Sequence, residues 1–418
     1  MAEKTTQPQE KTALVIGAGI VGVCTALYLQ REGFKVTLID KDGPGEACSA
    51  VNAGGLGGGS CAPFSLPGLW RKVPGMLMNR LHPLSVPPSN FLAATPWFIR
   101  FLLAGRQRRV DEITDALLTV VSNIFEAYEP LVSAAGAQDM IQRQGRLFVF
   151  TSRRAFENNR YERDLRRSRG VVIEDLDGDQ TREVEPKLGP NVVHGAYQRI
   201  NGHVVNPKRM VQVLAEHLVR SGGTLLREKV KGFETGADGP PKVVTETATH
   251  TAGLVVIAAG AWSRALAAQL GTKVPMQAER GYFMMLPNPG LKVPVQWNDK
   301  LLAICPMEHG LRVSSGAEFS PVDSPPDYDR ALAILRQADG LIPGLEMREL
   351  ERGMGARPSM PDSMPVIGAA PGHPKVLFAF GHGHIGLTLG AITGKLIGEL
   401  AAGRPTSIDI TPFRPDRF

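Results

Sequence analysis

Three glycines at GxGxxG spacing, Gly17, Gly19 and Gly22, with an acid further on at Asp40, are the residues of this chain whose types and spacing most directly imply chemistry. They follow a short apolar run, Ala13 to Ile16, that reads as a strand. A helical pattern comes next, and a second strand-like run, Lys35 to Ile39, leads into Asp40 eighteen residues beyond Gly22. Each residue type has a physical task in holding a dinucleotide. Gly17 permits a tight turn, Gly19 lets backbone approach a pyrophosphate, and Gly22 lets helix and strand pack closely. The helix start at Ile20 and Val21 offers unpaired N–H groups and a positive dipole end to phosphate. Asp40, followed by Lys41, is placed to accept from ribose hydroxyls. Taken alone, the fingerprint leaves NAD and FAD open.

A second glycine turn narrows that choice. Val376 to Phe380 reads as a strand, Gly381-His382-Gly383-His384-Ile385-Gly386 as the turn, and Leu387-Thr388 onward as a helix to about Ala402. Strand, glycine turn and helix start again make a site for negative atoms. An NAD enzyme does not need such a site some 360 residues after its fingerprint. A large cofactor lying across both ends of the chain does, which points to FAD.

Between these ends, residues 41–95 are rich in glycine, proline and serine and include Asn52-Ala53-Gly54-Gly55, a long stretch of the kind that is usually functional or disordered. An apolar helix is expected around 91–104, starting after Pro96, then a longer helical pattern at 110–135, a charged surface helix at 154–169 and a helix at 208–220. Leu254 to Gly260 reads as a buried strand running into a glycine, and 274–320 as β-rich. With 418 residues, two domains are expected. Composition is that of a globular protein, 43% hydrophobic and 21% charged, and the net charge of +6 is modest. No Lys/Arg block is interleaved with aromatics, so nucleic acid is not an expected partner. Cys24, Cys48, Cys61 and Cys305 form no CxxC pair, and neither a metal site nor a disulfide framework is expected. Residues 1–11 are polar without a signal-peptide core and read as a disordered tail, so the expected location is cytoplasmic.

Gly17-Ala18-Gly19-Ile20-Val21-Gly22, the Asn52-Ala53-Gly54 loop, Ala258-Ala259-Gly260-Ala261-Trp262-Ser263, Gly355-Ala356-Arg357-Pro358 and Gly381-His382-Gly383 occur in an order that resembles the FAD-dependent D-amino acid dehydrogenase and oxidase family, which includes glycine and sarcosine oxidases. The resemblance is nearest to bacterial D-amino acid dehydrogenases. It implies an α/β fold: a Rossmann-type FAD-binding domain assembled from 12–95, 200–272 and 353–405, and a substrate domain with an antiparallel sheet from 96–199 and 273–352. It also implies oxidation of a carbon–nitrogen bond by hydride transfer to flavin N5. The resulting imine hydrolyses to an oxo-acid and ammonia, and electrons pass to a quinone or protein acceptor. An oxygen-using, peroxide-forming oxidase and a subunit of an electron-transfer complex stay open as alternatives.

By the same resemblance Arg357 pairs with the substrate carboxylate, and Arg280 and Tyr282, sharing one strand face, reach the substrate or face solvent. His382 and His384 sit in the turn facing the flavin, and His384 contacts substrate or flavin. Asn52 to Gly55 pass beside the ring, Val230 meets the adenine, and Ala259, Gly260 and Trp262 close the strand end. The stretch 356–358 holds no cysteine, so FAD is expected to be non-covalent. The segment from Trp97 to Leu103 and Arg106, Arg108 and Arg109 reads either as a helix buried in the substrate domain, the favoured reading, or as a peripheral contact with the inner membrane.

Overall fold

The computed structural model describes residues 11–79, 81–234 and 242–418, so the tail expected over 1–11 lies outside it apart from Lys11. Six strands form one sheet in the order Thr224–Arg227, Lys35–Asp40, Thr12–Ile16, Leu254–Ile257, His373–Phe380, Val366–Ala370. The first five are parallel and the last is antiparallel. Alternate residues of these apolar strands enter different cores. Ala13, Val15, Val36, Leu38 and Val256 pack on one face, and Leu14, Ile16, Ile39, Val255 and Ile257 on the other. A sheet buried on both faces requires such continuous apolar runs.

Helices Ile20–Arg31 and Gly386–Ala401 cover the first of these faces. They approach unusually closely, because a Cβ at Gly394 would lie 2.7 Å from the carbonyl carbon of Cys24. The helix that follows the first glycine turn is thereby packed on the helix that follows the last one.

A nine-stranded sheet lies beyond. Its main path is Glu351–Ser359, Gln277–Leu286, Gly310–Phe319, Leu302–Met307, Val295–Trp297, Arg146–Phe150, His194–Gln198 and Glu174–Asp177, with Leu84–Ser85 paired to Gly310–Phe319. Pairing is antiparallel except at Leu84–Ser85 and between Val295–Trp297 and Arg146–Phe150. Glu351–Ser359 is an edge strand, which is why it tolerates Pro358. Residues 84–85 and 353–359 therefore build the sheet expected to belong to the second domain. Glycine and proline in these stretches hide a strand that only its neighbour's register reveals. Among the described residues no helix is long and apolar enough to cross a membrane.

Candidate active site

At Gly17 and Gly22 the first glycine turn leaves no room for side chains. Gly17 has φ +110°, and a Cβ there would lie 2.4 Å from the Ala258 oxygen. A Cβ on Gly22 would lie 1.8 Å from the Gly17 oxygen. At Gly19 a Cβ would meet only Ser49 Oγ, at 3.4 Å, so this residue faces open space. Ser49 Oγ also accepts the Ile20 N–H at 3.1 Å, while the helix has no side-chain cap and no acid in its first turn.

Asp40 does more here than its sequence position implied. Its Oδ2 accepts the Ala18 N–H at 2.6 Å and its Oδ1 the Asp42 N–H at 3.0 Å, so the carboxylate braces the turn. Burial pushes its pKa up. Lys41 lies 4.9 Å from the centre of the Trp262 ring and 3.0 Å from Asp42, and Gly260–Trp262 forms a short 3-10 turn. Val230 opens the strand Val230–Glu234 and packs against the apolar cluster that includes Ile39, as Leu226 and Ala259 also do.

The loop and the second turn meet. Asn52 Oδ1 accepts the Gly54 N–H at 2.8 Å, and Gly54, at φ +80°, has no space for a side chain beside the Val204 oxygen. Thr388 Oγ1 accepts the Gly57 N–H at 3.2 Å and donates to the Gly55 oxygen at 3.3 Å. Gly381 and Gly383 have φ +81° and +50°. A hydroxyl one turn into the C-terminal helix thus stitches the two glycine segments together.

A cavity of about 990 Å³ opens beside them, lined by Asn52, Ala53, Gly55, Arg357, His384 and Thr388 among others. Gly17, Gly19, Gly22, Asp40, Val230 and Trp262 lie outside it. On its wall, Arg357 Nη1 donates to Glu279 Oε1 at 3.1 Å and to the Gly316 oxygen at 2.7 Å. His384 Nε2 is 2.8 Å from the same Glu279 oxygen, and Ser359 Oγ donates to Oε2 at 2.7 Å. Glu279 is 4% exposed. Burial pushes its pKa up, but His384, Arg357 and Ser359 outweigh burial and hold it at about 2. A Cβ on Gly281 would lie 2.0 Å from Arg357 Nη2, so this glycine makes room for the guanidinium.

Two expectations are corrected. Arg280 and Tyr282 do not reach the cavity; Glu279 and Gly281 line it instead. Arg280 is fully buried, with Nη1 3.3 Å from Glu318 Oε1 and Nη2 donating to the Ser324 oxygen at 2.8 Å. Tyr282 donates its hydroxyl to the other Glu318 oxygen. The two residues do share a face, as alternation requires, but a register shift between 280 and 282 accompanies a buried ion pair on the far side of the sheet. His382 lines the cavity but is 3% exposed, with Nε2 2.9 Å from Thr393 Oγ1. Burial pushes its pKa down to about 3, so it serves as a neutral brace.

The helix Phe91–Ala104 differs from the favoured reading of a helix buried in the substrate domain, and its start differs as well. It contains Pro96 instead of starting after it, and Trp97 anchors it by donating Nε1 to the Ser359 oxygen at 3.0 Å. Its other face is open, with Leu92 85% and Ile99 54% exposed.

Against known proteins, a family model described as FAD dependent oxidoreductase matches residues 12–400. The chain belongs to that family. A D-amino-acid oxidase of Bradyrhizobium diazoefficiens is 36% identical over 98% of this chain and the whole of the relative. A D-amino acid dehydrogenase of Allorhizobium ampelinum is 28% identical over 97% of this chain and 98% of its own length. Among solved structures, glycine oxidase from Geobacillus kaustophilus superposes with a TM-score of 0.76 at 21% identity, covering 97% and 98% of the two chains, a likeness of fold.

FAD dependence follows from membership of the FAD dependent oxidoreductase family, and the residues present fit the cofactor. The bare turn at Gly17 and Gly22 and the helix start, which carries no acid in its first turn, lie at the carboxyl end of the strand Thr12–Ile16, between its neighbours Lys35–Asp40 and Leu254–Ile257. In open α/β sheets that crevice is where dinucleotides sit. Sequence reasoning places Thr388 in the site but misses Glu279, Gly281 and Ser359. A charged residue inside the apolar strand Gln277–Leu286 was the signal that a buried partner had to exist.

Proposed function

We propose that this enzyme oxidises the carbon–nitrogen bond of a D-amino or imino acid to an imine, which hydrolyses to an oxo-acid and ammonia. The observation that carries the reading is the cavity-facing guanidinium of Arg357. Both of its hydrogen bonds to protein use Nη1, so Nη2 and Nε remain for a carboxylate. Planar, two-point recognition of a carboxylate is what arginine does and lysine does not. Glu279 and the Gly316 oxygen fix the fork, and Gly281 gives it space. Glu279 stays ionised at neutral pH and is too weak a base to take a proton, so it is a positioning residue. The substrate amine accordingly sheds its proton to water. Bound FAD supplies the ring that accepts the hydride, and it is held non-covalently, since 356–358 reads Ala-Arg-Pro.

Electrons pass to an acceptor dissolved in lipid, and the enzyme docks on an anionic bilayer surface. Nine of the 17 exposed large apolar side chains among the described residues fall between Phe64 and Leu103, including Trp70, Met78 and Leu92. From Ala47 to Val110 there is no Asp or Glu, while Lys and Arg number seven. Apolar side chains in a carboxylate-free, basic segment match the chemistry of an anionic membrane interface. Phe64, Leu77, Phe91 and Ile99 of this patch also line the cavity, which connects the bilayer side to Arg357.

A panel of D-amino acids, L-amino acids, glycine and sarcosine tests the reading, assayed with an artificial acceptor and for peroxide. Turnover of D-amino acids without peroxide is expected. Peroxide at the same rate would make it an oxidase, and a preference for glycine or sarcosine would overturn the substrate class. Flotation with anionic vesicles, abolished by Leu92→Glu, is the companion result for docking; equal binding to neutral vesicles or none defeats it.

A further inference from the structure

The arginines lining the cavity are not equally satisfied. Arg357 has Glu279, Arg166 has Glu162 at 2.5 Å, and Arg163 has Asp175 at 3.3 Å. Among the described residues Arg146 has no carboxylate. Its Nη2 donates to Gln296 Oε1 at 2.7 Å, and its Nε is buried without an acceptor. Its Nη1 lies where Gly55 carries no side chain, 3.1 Å from the position a Cβ would take.

The surroundings sharpen the imbalance. Arg146 and Arg166 lie 5.5 and 5.7 Å from the centre of the same Phe148 ring. Burial pushes the Arg146 pKa down, and the like charge of Arg166 adds to that. Arginine does not escape by losing its proton, so a charge placed here needs an anion. The carboxylates lining this lobe are committed. Glu162 holds Arg166 and accepts from Asn159 at 2.8 Å. Asp299 accepts the Thr151 N–H and the Ser152 hydroxyl, both at 3.0 Å. The remaining polar lining, Gln198, Gln296 and Asn298, is neutral.

We propose that Arg146 is a second anion-binding pole of the cavity, and that the enzyme takes amino acids whose side chain ends in a carboxylate. This rests on the reading above, in which Arg357 holds the α-carboxylate. Arg146 then takes the distal one, through Nε or Nη1, with Gln296 holding its other arm. The bare α-carbon of Gly55 leaves space for that approach.

Paired isosteres isolate the effect. On the flavin-loaded enzyme, kcat/KM is expected to be at least tenfold higher for D-glutamate than for D-glutamine, or for D-aspartate than for D-asparagine. Arg146→Gln should collapse that acid-to-amide ratio at least tenfold, and Arg146→Lys should restore part of it. A ratio near one in the wild type, or an equal loss for acid and amide in Arg146→Gln, overturns the proposal. So does a drop in retained FAD on gel filtration of Arg146→Gln, which would mean that the arginine serves the cofactor. Thermal shift gives an arm independent of turnover: glutarate should raise Tm more than butyrate in the wild type and not in Arg146→Gln. If no D-amino acid is oxidised but this shift appears, the functional reading fails while the anion pole stands. Without the shift, the pole fails.

Discussion

Arg357 and Glu279 face each other in register on paired antiparallel strands, with Nη1 and Oε1 3.1 Å apart on the cavity wall. The pairing makes the arginine's direction a property of the sheet. One nitrogen is tied to Glu279 and to the Gly316 oxygen, and the rest of the fork points where Gly281 has no side chain. Burying a carboxylate is costly, and here Arg357, His384 and Ser359 together offset the cost. The same contacts that stabilise Glu279 therefore set the geometry with which a substrate carboxylate is met.

Replacing Arg357 by Gln should lower kcat/KM for the best D-amino acid by about 10² to 10³, the scale of losing one partner of a desolvated charge pair. Arg357→Lys should recover little, because an ammonium lacks the planar fork. Carboxylate inhibitors should weaken in parallel. Inhibitor affinity that survives both substitutions would move the substrate site elsewhere.

Glu279 gives a pH signature. Its folded pKa of about 2 lies below the ordinary 4.5, so the unfolded chain binds its proton first. The stabilisation it gives is complete above about pH 4.5 and is lost as pH falls toward 2. Linkage puts this on the order of 3 kcal/mol. Urea unfolding of wild type and Glu279→Gln at several pH values from 6 down to 3 measures it. The wild-type free energy should fall more steeply below 4.5, and parallel curves would show that Glu279 does not titrate in this way.

The fold was more legible in the sequence than the site. Gly17, Gly22 and the run Leu254–Ile257 announce themselves because local sterics and two-sided burial restrict which residues fit. The partner of Arg357 does not, because Glu279 lies 78 positions away and only sheet register joins them. Alternation put Arg280 and Tyr282 on one face, yet not which face, since the register shift beside them is a tertiary outcome. Likewise an apolar helix such as Phe91–Ala104 looks the same in sequence whether its second face is covered or open.

Gly19 and Gly22 should separate folding from cofactor binding. Gly22→Ala drives a methyl into the Gly17 oxygen, a 1.8 Å approach that backbone must relieve. Destabilisation above about 3 kcal/mol and loss of soluble protein are expected. Gly19→Ala meets only an ordinary contact with Ser49, so its fold should survive with cooperative melting. Its methyl would nonetheless stand between the turn and a pyrophosphate, and flavin content by visible absorbance should fall severalfold. Full flavin content in Gly19→Ala would place the pyrophosphate away from this turn.

Arg280 is expected to matter for stability and not for substrate. Its side chain is fully buried, and Glu318, 6% exposed, is its counter-charge. Arg280→Met leaves that carboxylate without its cation in a dry interior, which costs about 3–5 kcal/mol. Adding Glu318→Gln removes the stranded charge and should return a measurable part of the loss, a coupling that only direct partners show. Chemical denaturation of the two single variants and the double variant gives the cycle. In the folded fraction of Arg280→Met, KM should stay near the wild-type value, because the residue lies on the sheet face away from the cavity. A rise in KM of tenfold or more, with little change in stability, would instead return Arg280 to the substrate site.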